Sequence, residues 1–111
     1  MWEPRRTDTV TSIVENRRAE VAELCCRFKV ARLEVFGSAA TGEFDEQHSD
    51  LDFLVEFGSA LTSQRFDAFF GLQRALAELF GRSIDLVEAG APRNPYFIRR
   101  LNETRKVVYA A

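Results

Sequence analysis

The sequence predicts a mixed α/β domain of the α+β kind, a small sheet of three or four strands packed against helices. Three observations predict it. From Asp50 to Phe57 every second residue, Leu51, Phe53, Val55 and Phe57, is apolar, while Asp50, Asp52 and Glu56 fall between them, the period of a half-buried strand. Apolar stripes at helical spacing occupy positions 13–28 and 66–80. The strand-like runs lie between and beyond these helices, so one sheet must bury a face against them.

At 111 residues, with 46% apolar composition, the chain suits one folded domain with a single core. Residues 1–9, including Trp2, Pro4, Arg5 and Arg6, show no period and read as a flexible arm; 10–111 read as the domain. A net charge of −2 argues against a nucleic-acid-coating surface, so no direct nucleic-acid binding is expected. The only two cysteines, Cys25 and Cys26, are adjacent and unsuited to bridging each other. Free thiols suit a reducing cytoplasm, and no apolar run is long enough to span a membrane.

Thr11 or Ser12 reads as an N-cap, and the helix it starts is predicted to run to about Phe28. Ile13, Val21, Leu24, Cys25 and Phe28 form its apolar stripe, with Arg17 as the exception. Val30 to Phe36 and Asp50 to Phe57 are the first two strands, most simply paired antiparallel. Thr62 or Ser63 caps a second helix through Phe80, which Gly81 stops. Its apolar face takes in Phe66, Phe69, Phe70, Leu72, Leu76, Leu79 and Phe80, with an excess on one edge that suits a partner surface. Ser83 to Val87 is a third strand, with Ile84 and Leu86 facing one way and Asp85 and Val87 the other. A last helix spans Tyr96 to about Thr104, followed by a short extended tail at Val107–Tyr109.

The chemistry lies between Leu33 and Phe57. The first strand delivers Gly37-Ser38, and glycine lets a ligand approach the main chain closely. Ser38 can cap a short helix whose N–H groups cradle an anion. On the second strand Asp50 and Asp52 share one face, about 7 Å apart, while Leu51, Phe53, Val55 and Phe57 take the other. Two like charges so placed call for a cation, and hard oxygen ligands favour Mg²⁺. A phosphate-binding turn beside a metal-binding Asp pair describes a site for a metal-bound nucleoside triphosphate. His48, the only histidine, lies in the intervening loop, within reach of a phosphate or simply solvated.

The run G-S-x-x-x-G followed by S-D-x-D resembles the polymerase-β-type nucleotidyltransferases, in particular the minimal nucleotidyltransferase (MNT) family. Gly37, Ser38, Gly42, Ser49, Asp50 and Asp52 carry that resemblance. Asp85, in Ser83-Ile84-Asp85-Leu86-Val87, matches the family's third carboxylate. Asn94-Pro95-Tyr96-Phe97 and Val107-Val108-Tyr109 are similar to its closing segment. Family members often carry arginines in the glycine turn, where this chain has Ala39 and Thr41.

The resemblance implies the polymerase-β-like fold and nucleotidyl transfer. Asp50, Asp52 and Asp85 would be the catalytic residues and hold two Mg²⁺ ions; Gly37, Ser38, Gly42 and Ser49 would bind nucleotide, with ATP as substrate. It further implies an antitoxin that adenylylates a hydroxyl, a tyrosine, of a partner HEPN-domain toxin in a hetero-oligomer, with a homodimer also open. Two other readings stand beside it. One is an antitoxin that neutralises its partner by binding alone; the other is a small-molecule nucleotidyltransferase.

Overall fold

The computed structural model describes residues 12–37, 40, 50–59, 64–91 and 94–111. Among them, α1 (Ser12–Glu15) and α2 (Arg18–Arg27) precede β1 (Val30–Phe36) and β2 (Leu51–Phe57). Then come α3 (Arg65–Phe80), β3 (Ile84–Glu88), α4 (Pro95–Thr104) and β4 (Lys106–Ala110). The strands form one mixed sheet in the order β3-β2-β1-β4. β2 lies antiparallel to β1, as the sequence predicts, and parallel to β3. A parallel pair needs a long crossover, and α3 supplies it.

One face of the sheet is an apolar core. Leu33 and Val35 of β1, Leu51, Phe53, Val55 and Phe57 of β2, and Ile84 and Leu86 of β3 pack there against Val21 and Cys25 of α2 and Leu72 and Leu76 of α3. The alternation read from the sequence is thus the real one. Val30 joins the same face although its parity is even, because the β1–β2 register slips between Val30 and Arg32. On the opposite face Phe36, Leu54 and Val87 make a small second cluster, covered by Phe97 and Leu101 of α4.

Four local readings are corrected. The single helix to Phe28 is broken: Arg17 leaves helical geometry at φ −116° and ψ 18°, separating α1 from α2. The break has a physical cause, since a continuous helix would press that guanidinium into the core. Turned outward, Arg17 pairs with Glu20 at 3.1 Å. In α3, Phe66 and Phe70 lie outside the core, 73% and 49% exposed, with their rings 4.9 Å apart edge to face. Leu72 and Leu76 carry the buried line instead. The last helix begins one residue earlier than predicted, at Pro95, where Asn94 caps it by accepting the Phe97 N–H at 2.8 Å. The extended tail is a full strand, β4, paired antiparallel to β1.

Gly81 ends α3 in the left-handed conformation, as predicted. Thr11, His48 and the proposed caps Thr62 and Ser63 lie outside the described residues, as does the arm at 1–9. Among the described residues no helix is long and apolar enough to cross a membrane.

Candidate active site

The site forms at one end of β1 and β2, where the sheet leaves its apolar register. Asp50 precedes β2 directly and is exposed; Asp52, on β2, is half-buried; Asp85, on β3, is exposed. Asp52 and Asp85 are register partners in the parallel pair. Register partners on neighbouring strands project to the same face, and the strands lie about 4.8 Å apart. The predicted convergence of Asp85 with Asp52 is therefore built into the sheet.

The placement of the charges has an electrostatic consequence. Burial pushes Asp52 up to about 6 from its ordinary carboxylate range, Asp85 and then Asp50 add to the rise, and Arg100 opposes it. Desolvation and like charge act in the same direction on this group. Among the described residues no three His, Cys, Asp or Glu side chains close into a ready-made metal cage. The three aspartates share a neighbourhood, with Asp50 and Asp85 on the solvent side of Asp52.

Gly37 closes the other flank. It follows β1 directly, with φ +71°, and a Cβ there would lie 2.7 Å from Asp52 Oδ2. Only glycine satisfies both the backbone angle and that close approach. Its carbonyl accepts the Ala40 N–H at 3.0 Å, so the chain turns tightly after the strand. Its own N–H donates to Thr104 Oγ1 at 2.9 Å, and that hydroxyl in turn donates to the Arg100 carbonyl at 2.8 Å.

Ser38, Gly42 and Ser49 lie outside the described residues. Sequence reasoning missed Thr104. Nothing in the pattern marks it, because its partner Gly37 is 67 residues away. Arg100 belongs to a group of basic residues, with Arg93, Arg99, Arg105 and Lys106, that the sequence suits to a solvated face, to steering a triphosphate or to docking an acidic partner.

Cys25 is buried and its thiol is pushed up to about 12, chiefly by burial, so it stays protonated and unreactive near neutral pH. This bears out its reading as a packing residue.

Asp52 and its register partner Asp85 offer hard carboxylate oxygens, the class of donor that divalent cations such as Mg²⁺ take, and burial together with like charge raises Asp52. A glycine turn beside a carboxylate pair at the end of a mixed sheet defines a nucleotidyltransferase-type protein.

Comparison with known proteins agrees. The chain belongs to the nucleotidyltransferase domain family, whose pattern matches residues 18–108. It is 36% identical over 95 residues to a Methanocaldococcus jannaschii protein provisionally named protein adenylyltransferase, covering 86% of this chain and 93% of that one. A solved structure provisionally assigned as a minimal nucleotidyltransferase matches at 30% identity with a TM-score of 0.66, covering 86% of this chain and 92% of the other. The fold also matches, at 17% identity and TM-score 0.60, a chain of the complex between the tri-AMPylated Shewanella oneidensis HEPN toxin and its MNT antitoxin; 88% of this chain and 73% of that one are covered. The protein is a nucleotidyltransferase of the minimal, polymerase-β-like kind.

Proposed function

We propose that the protein transfers AMP from ATP to a hydroxyl of a partner protein, a tyrosine of a HEPN-domain toxin, and so acts as an antitoxin. The observation that carries this reading is the placement of Asp52 beside Asp85 in register, with Asp50 adjacent and Gly37 pressed against the Asp52 carboxylate. The relatives support the acceptor class: one is provisionally named a protein adenylyltransferase, and a fold match is a chain of the complex between an AMPylated toxin and an antitoxin.

In this reading Gly37, Ser38, Gly42 and Ser49 receive the nucleotide. Two Mg²⁺ ions, held by Asp50, Asp52 and Asp85, would neutralise phosphate charge and favour the ionised acceptor hydroxyl. The hydroxyl oxygen forms a bond to the α-phosphorus, the bond from that phosphorus to the bridging oxygen breaks, and pyrophosphate leaves. Asp85, on the solvent side, takes the hydroxyl proton. Positioning and charge neutralisation supply most of the rate.

The test uses ATP labelled at the α-phosphate and a purified HEPN partner. Label on a partner tyrosine, dependent on Mg²⁺ and lost in Asp50→Asn and Asp52→Asn, is the expected result. A partner inhibited without label would establish the binding-only antitoxin instead. Label found on an aminoglycoside rather than on protein would establish the small-molecule transferase.

A further inference from the structure

We propose that α4 belongs to the nucleotide site: Arg100 supplies the cation that meets the triphosphate, and Thr104 positions the glycine turn against it. This rests on the nucleotide-binding reading given above.

The turn brings no positive charge of its own. Residues 37–42 read Gly-Ser-Ala-Ala-Thr-Gly, and the stretch after them adds Glu43, Asp45 and Glu46. Asp50, Asp52 and Asp85 make the site acidic, and a triphosphate is strongly anionic. Any side-chain cation for it has to come from another element.

The geometry points to α4. Residues three and four apart share a helix face, which puts Phe97, Leu101 and Thr104 along one side, with Arg100 at its exposed edge. That side is turned to the sheet: the Phe97 ring lies 5.7 Å from Phe36, and Leu101 packs on the Phe36–Leu54–Val87 cluster. Thr104 is buried, and its one hydroxyl is used twice, accepting from the Gly37 N–H and donating to the Arg100 carbonyl. The backbone of Arg100 is thus tied through a single oxygen to the turn that flanks Asp52. The Arg100 side chain is exposed, one helical turn before Thr104. An exposed guanidinium there is available to an anion at the turn, and its planar fork suits phosphate oxygens.

Two probes separate this role from a merely structural one. The first is AMP-PNP in the presence of Mg²⁺, followed by calorimetry. The second is Mn²⁺ alone, followed by electron paramagnetic resonance. Arg100→Met keeps the side-chain stem and drops the charge. It should weaken AMP-PNP by about tenfold or more, as expected for losing charge-assisted hydrogen bonds, and Arg100→Lys should recover part of the loss. The same Met variant should bind Mn²⁺ as well as the parent or better, because a positive charge has left the carboxylates. Thr104→Val should weaken AMP-PNP by roughly fivefold or more, and Thr104→Ser should restore it.

Unchanged AMP-PNP affinity in Arg100→Met or in Thr104→Val overturns the proposal. So does a parallel loss of Mn²⁺ affinity in Arg100→Met, which would place the effect on the carboxylates. If the parent protein binds no AMP-PNP at all, the underlying nucleotide-binding reading fails, whatever α4 does.

Discussion

The two faces of the sheet are built on opposite principles. The face under α2 and α3 is apolar throughout, and its largest side chains, such as Phe53, Leu33, Leu72 and Leu76, are fully buried. The face under α4 mixes a small apolar cluster with Glu34, Asp52, Asp85 and Glu56. Within that second face two carboxylates differ in the same instructive way. Glu34 is buried but receives both Arg105 and Arg32, so its charge is answered inside the fold. Asp52 is half-buried among like charges, with Arg100 opposing them. The first face holds the protein together; the second holds charge in a state that a cation or anion from outside would relieve. Strain of this kind marks functional sites.

Four substitutions break or sharpen the contrast. The largest effect on stability is expected from Leu76→Ala on the apolar face, about 3 kcal/mol from lost burial plus a cavity, measured by urea unfolding. Glu34→Gln comes next, at about 2 kcal/mol, because it removes charged hydrogen bonds at a buried position.

Asp52→Asn should have the opposite sign. Above pH 6 the fold holds Asp52 ionised against burial and like charge, so this group favours the unfolded chain there. The penalty fades as pH falls from about 6 toward the ordinary carboxylate range, where the native site is protonated. Without metal, the Asn variant should therefore unfold at a higher temperature than the parent at pH 7.5, by about 1 kcal/mol after allowance for solvent screening. That gain should vanish near pH 4, and a gain that persisted there would show that Asp52 is not the strained group. Smallest of all is Glu20→Gln, at under about 0.5 kcal/mol, since its pair with Arg17 is exposed on both sides.

Much of this contrast was legible in the sequence because it follows from local periodicity. Alternation along 50–57 separates Asp52 from Leu51 and Phe53 without any tertiary information. The short Ile84-Asp85-Leu86 run does the same for Asp85. What was not legible depends on contacts between distant parts of the chain. Glu34 reads as an ordinary strand charge until Arg105, 71 positions later, meets it. Thr104 reads as a helix-end residue until Gly37 finds it. The break at Arg17 was half visible: the sequence marked that residue as foreign to the apolar stripe, but only packing shows that the helix yields rather than the arginine. In α3, spacing alone did not separate the buried line from Phe66 and Phe70, because both fit an apolar helix face.

The hydrogen bond from Gly37 to Thr104 also sets an order of events during synthesis. The glycine turn is translated early, together with Asp50 and Asp52, yet its amide has no partner until the last helix has left the ribosome and docked. Loop closure over 67 residues is among the slower steps available to a domain of this size. A nascent chain stopped before position 104 would hold all three aspartates and still lack the tether that fixes the turn. The tether on the turn would therefore form only once α4 has docked.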